Sequence, residues 1–162
     1  MHQRSDVGDF HRILVPYDFS DHARAALDLA RDLASRLGCD LRLVHVIQAF
    51  PYVHTYPSYL GAVALPPPDL TELRDSLEKS LGEVAAEISD PAIEVETDVV
   101  VDGNIAGAIC KRAEEIGADL IVMGTHGRTG LAHVFLGSVA ERTLRKAPCA
   151  VVTVKAREGG ET

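Results

Sequence analysis

The chain has 162 residues, 46% of them hydrophobic and 25% charged, which suits one domain with its own core and leaves too little for two. Sixteen lysines and arginines against 24 aspartates and glutamates give a net charge of −8. That balance argues against sequence-independent nucleic-acid binding, which depends on cations neutralising phosphates. No apolar run approaches the roughly 18 residues that span a bilayer, and the opening MHQRSDVGDF lacks the apolar core of a signal peptide. A cytoplasmic location with no membrane partner is therefore expected.

Taken in order, residues 1–10 are polar and without period and read as a flexible N-terminus. They precede one domain over residues 11–155 and a flexible tail over 156–162. Arg12–Tyr17 holds the continuous run Ile13, Leu14, Val15, which suits a strand covered on both faces. Ser20 is placed to cap a helix whose apolar residues Ala23, Ala26, Leu27, Ala30, Leu33, Ala34 and Leu37 keep helical spacing, and Gly38 falls where a left-handed residue ends it. Leu41–Ile47 is a second apolar strand. Gln48–Pro68 is a long stretch without period that holds Phe50, Tyr52, Tyr56 and Tyr59. A lid, a partner-binding surface and a plain packed loop all stay open for it.

Asp69 and Glu72 predict a capping box for a helix over Asp69–Ile88, where Leu70, Leu73, Leu77, Leu81, Val84 and Ile88 recur at three and four. Ile93–Val101 alternates, with Ile93, Val95, Thr97, Val99 and Val101 against Glu94, Glu96 and Asp98, as a half-exposed strand near a sheet edge does. A helix from about Asn104 to Ile116, a buried strand Leu120–Met123, a helix over Gly137–Lys146 and a strand Ala150–Val154 complete the chain. Such alternation predicts an α/β fold: a single, doubly wound, five-stranded, mostly parallel sheet with helices on both faces. The three cysteines, Cys39, Cys110 and Cys149, form no C-x-x-C and read as buried small hydrophobes. No histidine has a helical i, i+4 partner, so no protein-built metal site is expected, and His45 reads as a satisfied core or rim residue.

In a doubly wound sheet, ligands bind beyond the carboxyl ends of the strands, where the strand order reverses. Two segments lie there: Pro16-Tyr17-Asp18-Phe19-Ser20 after the first strand, and Gly124-Thr125-His126-Gly127-Arg128 after the fourth, which runs on to Gly137-Ser138 at the start of the last helix. Gly124 and Gly127 would let the backbone turn with positive φ and approach a ligand closely. Gly137 and Ser138 would present free N–H groups and the helix dipole to an anion, with Ser138 adding a hydroxyl and Arg128 and His126 positive charge. No G-x-x-x-x-G-K-[ST], no G-x-G-x-x-G after the first strand and no G-x-S-x-G occurs, so Walker-type, dinucleotide-binding and nucleophile-elbow chemistry are not expected.

The spacing Gly124-x2-Gly127-x9-Gly137-Ser138, with ILVPYDFSDHA (Ile13–Ala23), LVHVI (Leu43–Ile47), ADLIVMGTHGRTG (Ala118–Gly130) and GSVAERTLRKAPCAVVTV (Gly137–Val154), resembles the ATP-binding branch of the universal stress proteins. The resemblance covers roughly residues 10–155 and implies an adenine nucleotide in the crevice: ATP, with AMP or another adenine nucleotide, a cyclic one included, as alternatives, and with room for Mg or Mn carried by the phosphates. It implies that Asp18 meets the ribose or a phosphate-bound cation and that Pro16 and Tyr17 line the sugar side. The backbone of Val46 would read the adenine edge, and Met123, Gly124, Gly127, Gly137, Ser138 and Val139 would surround ribose and phosphates. Some relatives carry a hydroxyl where this chain has Ala140, and many have a smaller residue at Tyr17. Valine at Gly127 or Gly137 is expected to remove nucleotide binding with the fold largely intact. The resemblance also implies a Rossmann-like sheet in the order 3-2-1-4-5, in which the uncharged strand Ala150–Val154 lies at an edge, and a homodimer through that strand. The function expected is a nucleotide-dependent regulatory module in the stress response, with an unidentified protein partner and no catalytic residue. A slow ATPase or phosphotransferase using Asp18, His126 or Arg128, and a nucleotide-free interaction protein, are the alternatives.

Overall fold

The computed structural model describes residues 10–49, 69–88, 90–126 and 136–156. The elements alternate as β1 (Arg12–Pro16), α1 (Asp21–Leu37), β2 (Asp40–Gln48), α2 (Thr71–Ala86), β3 (Val95–Asp102), α3 (Ile105–Glu115), β4 (Leu120–Gly124), α4 (Ser138–Lys146) and β5 (Ala150–Val154). Every strand pairing is parallel, and the sheet runs β3-β2-β1-β4-β5. Parallel neighbours cannot be joined by a hairpin, so the connecting helices cover the sheet on both faces. Along the central strands, successive side chains serve opposite cores. Ile13, Val15, Leu43 and Val122 pack with α1 and α2, while Leu14, Val44 and Ile121 pack with α3 and α4. This double burial is why these strands read as unbroken apolar runs.

Local chemistry sets most boundaries. The Ser20 hydroxyl accepts the Ala23 N–H at 3.2 Å, and Gly38, at φ 71°, ends α1 by donating to the Ala34 carbonyl at 2.8 Å. Asn104 caps α3 by accepting the Gly107 N–H at 3.1 Å. The capping box expected for α2 does not form. Asp69 instead turns onto Thr71, accepting its N–H at 2.9 Å and its hydroxyl at 2.6 Å, so the helix begins two residues later behind Leu70. Ile93 is buried but lies in the turn before β3, its N–H bonded to the Asp90 carbonyl. The polar side of β3 is held by ion pairs of Glu96 and Asp98 with Arg42, and of Asp98 with Arg112.

Some expected core positions are not core. Leu37, Leu73 and Val101 are 49%, 47% and 41% exposed. Cys39 is buried, whereas Cys110 and Cys149 are half-buried; all three are free thiols, each held above the ordinary cysteine value by burial. The sequence-predicted termini and the tyrosine-bearing stretch lie, apart from a few flanking residues, outside the described residues.

Two backbone features open the sheet at its carboxyl end. Arg12 accepts from Asp119, so the even-numbered residues of β1 turn their backbone groups toward β4. At Pro16 that side has no N–H to give. Accordingly β1–β4 pairing ends at Leu14↔Ile121, while β4 and β5 stay paired to Gly124↔Val154.

Candidate functional site

A cleft lies where β1 and β4 part, with about 630 Å³ between its atoms, part of it continuous with solvent. One side is the β1–α1 loop. Tyr17 is 5% exposed and its ring belongs to the core, stacked edge-on against Phe19 at 5.2 Å, so the bulk of this side chain does not fill the cleft. Burial pushes its phenol above the ordinary tyrosine value, opposed by the nearby Arg24 cation. Phe19 adopts φ 64°, the one non-glycine residue in the left-handed region among those described. Such a conformation is held only where its surroundings enforce it. Asp18 lines the cleft, and its Oδ1 accepts the Ser20 N–H at 3.0 Å and the Ser20 hydroxyl.

The opposite side is the exit of β4. Gly124 is needed for packing and not for an unusual turn: a Cβ there would lie 2.8 Å from His22 Cβ and 2.9 Å from the His22 carbonyl carbon, and its φ is not positive. This corrects the sequence expectation for that glycine. The Thr125 N–H continues the sheet by donating to Val154 at 2.9 Å, and the Thr125 carbonyl accepts the Gly137 N–H at 2.7 Å, tying the start of α4 to the end of β4. A Cβ on Gly137 would stand 2.9 Å from that same carbonyl. Gly137→Val therefore cannot leave the fold untouched. His126 Nδ1 lies 3.0 Å from the Thr125 hydroxyl, and its ring sits 5.2 Å from that of His22, whose Nδ1 accepts the Ala156 N–H.

Helix α4 starts at Gly137 with no side-chain cap, and the first intrahelical bond runs from Glu141 to the Gly137 carbonyl. The N–H groups of Ser138, Val139 and Ala140 precede the helical ladder and carry the positive end of the dipole. Val139 and Ala140 line the cleft. Between the two sides, apolar residues of β2, α3 and β4 form the wall, among them Val44, Val46, Ile105, Ile109 and Met123. The arrangement can accept a flat apolar ring against the wall and an anion at the α4 start.

Of the residues singled out by sequence, Pro16, Tyr17, Asp18, Val46, Met123, Gly124, Thr125, His126, Gly137 and Val139 line this one cleft. Phe19, Ser20 and Ser138 adjoin it in sequence without lining it: Phe19 and Ser20 shape the loop, and Ser138 opens α4. Gly127 and Arg128 lie outside the described residues. Sequence reading missed Ala23, Val44, His45, Ile105, Ile109 and Ala140. They are mostly apolar and look like core, but strand order alone places the ends of β2 and the start of α3 beside the crevice. Among the described residues, no group of three His, Cys, Asp or Glu side chains is arranged to hold a metal ion.

The sequence profile of the universal stress protein family matches residues 9–155. A universal stress protein of Thermus aquaticus is 34% identical over 147 residues, covering 90% of this chain and 99% of its own length. One from Methanocaldococcus jannaschii is 32% identical over 151 residues, covering 90% and 82%. Among solved structures, a universal stress protein family member from Burkholderia pseudomallei superposes with a TM-score of 0.66 at 31% identity, covering 91% of this chain and 97% of that one. Another of the same fold, from Archaeoglobus fulgidus, was solved in complex with dAMP; its TM-score is 0.62 at 24% identity, covering 91% and 100%. With its sequence matched nearly end to end and its sheet in the same architecture, this chain belongs to the universal stress protein family.

Proposed function

We propose that the cleft binds an adenine nucleotide, ATP foremost, and that the protein acts as a cytoplasmic, nucleotide-dependent regulatory module of the stress response. The observation that carries this reading is the pairing of an apolar wall with an uncapped helix start in one cleft: the first suits a purine, the second a phosphate. Solved proteins of the same fold in complex with dAMP and with cAMP support the choice of adenine.

In this reading Val46 meets the base edge, and the backbone at Gly137, Ser138 and Val139 meets the phosphates together with the Ser138 hydroxyl. The same reading assigns Gly127 and Arg128, which lie outside the described residues, to the phosphates. Asp18 is the one carboxylate among the described lining residues. Beside phosphate oxygens a bare carboxylate is repelled, so its role is to accept ribose hydroxyls or to face a Mg or Mn ion brought by the phosphates. The role assigned is binding. Nucleotide binding regulates only through a difference in affinity between two states of the protein. β5 ends the sheet with the half-buried residues Val151–Val154 and no charge. Pairing with a second copy across a two-fold axis would cover that edge. The test is to denature freshly purified protein and identify released nucleotide by chromatography. ATP or AMP in near-stoichiometric amount is expected; an empty protein that also ignores millimolar ATP after refolding overturns the reading.

A further inference from the structure

The backbone groups of β2 alternate in direction. Leu41 donates to Glu94 at 2.8 Å and Ala49 to Asp102 at 3.3 Å, so the odd-numbered residues face β3; Val44 accepts from Tyr17 at 2.8 Å, so the even-numbered ones face β1. One more step of a parallel ladder would send the Val46 N–H to the Tyr17 carbonyl. That step is missing. Pairing of β1 with β2 stops at Pro16↔Val44, and the Tyr17 carbonyl is taken by the ring of His45, with Nδ1 2.7 Å from the oxygen. A carbonyl only accepts, so Nδ1 carries the proton and donates it. His45 is 8% exposed, and its ring lies 5.4 Å from that of Phe19, the residue held at φ 64°. The Val46 N–H, which faces β1, makes no bond to the Tyr17 carbonyl or to another backbone carbonyl of the described loops.

We infer that His45 is a positioning residue for base recognition: its ring satisfies the Tyr17 carbonyl in place of the Val46 N–H, and so keeps that N–H open for an acceptor nitrogen of a purine in the cleft. The inference rests on the adenine-nucleotide reading of the site. Backbone donors are ordinarily paired in a sheet, and an open one at the end of a central strand, on the wall of the cleft, is a ready partner for the in-plane lone pair of a ring nitrogen. A triphosphate without a base has no use for it.

Two variants and two readouts test this. Asparagine carries an amide N–H close to the position of the imidazole Nδ1, so His45→Asn keeps the donor, whereas His45→Ala removes it and leaves the Tyr17 carbonyl to Val46. Amide hydrogen exchange without nucleotide should find Val46 unprotected in the unmodified protein and in His45→Asn, and protected in His45→Ala. In titrations, His45→Ala should weaken ATP binding tenfold or more while tripolyphosphate binding stays within twofold, and His45→Asn should return ATP to within threefold. A Val46 amide already protected in the unmodified protein overturns the inference even if His45→Ala does not fold. Equal ATP affinity in the unmodified protein and His45→Ala overturns the His45 role alone. ATP ignored by the unmodified protein overturns the nucleotide reading and the recognition role with it.

Discussion

Helix α1 begins under Ser20, whose hydroxyl takes the Ala23 N–H and is itself held by Asp18. Helix α4 begins at Gly137, which has no side chain to offer and whose own N–H is bonded to the Thr125 carbonyl. Both helices start beside the same cleft, and among the described residues only the first has a side-chain cap. The difference teaches how one sheet end sorts two loops into two jobs. The β1–α1 loop is a wall fixed by a cap, an aspartate and packed aromatic rings, while at the start of α4 no side-chain cap among the described residues takes up the first helical N–H groups.

Substitutions at the two helix starts should separate in kind as well as in size. Gly137→Val drives a Cβ toward the Thr125 carbonyl, 2.9 Å away. It should cost about 1–3 kcal/mol of stability through overpacking and remove measurable ATP binding, seen by calorimetric melting and titration. Ser138→Ala should leave the melting point nearly unchanged and weaken ATP by about 10- to 150-fold, the value of a hydrogen bond to a charged group. Ser20→Ala should do the reverse: it should lose about 1 kcal/mol, or roughly 2–4 °C in melting temperature, with a smaller change in ATP affinity than Ser138→Ala. Equal effects of the two serine variants on both readouts would break the comparison.

A smaller effect concerns acid. Asp69 is held below its ordinary value of 3.8 by the Thr71 hydroxyl and N–H, and Asp90 by the Ala92 N–H and the Ser35 hydroxyl. With the folded values depressed, the stabilisation is present above the unfolded value and is lost as pH falls through the folded one. Melting temperature should therefore decline below about pH 4. Asp69→Asn and Asp90→Asn should each flatten that decline slightly, as measured by melting from pH 6 to pH 3.

The alternation of elements was legible because both faces of the central strands are buried, and unbroken apolar runs such as Ile13–Val15 have few other uses. Ser20, Gly38 and Asn104 were legible because caps are chemistry of single residues. The α2 start was misread because Asp69 had two partners within reach, Glu72 and Thr71, and only geometry chose the nearer. The sequence predicts a turn glycine at Gly124, whereas its reason is His22 on α1, a contact that sequence spacing cannot express. Ile105, Ile109 and Val44 escaped notice for a related cause: an apolar residue that lines a cleft and one that fills a core carry the same pattern, and only strand order separates them. The left-handed Phe19 had no signal at all, since a phenylalanine in that conformation is fixed by the rings around it.

The most direct measurement is an ATP titration of the nucleotide-stripped protein followed amide by amide in solution. Saturable shifts at micromolar ATP, largest at Ser138, Val139, Ala140 and Val46 and small at Ala23 and Arg24, are the predicted result. Shifts centred on the start of α1, or none at millimolar ATP, would contradict the account.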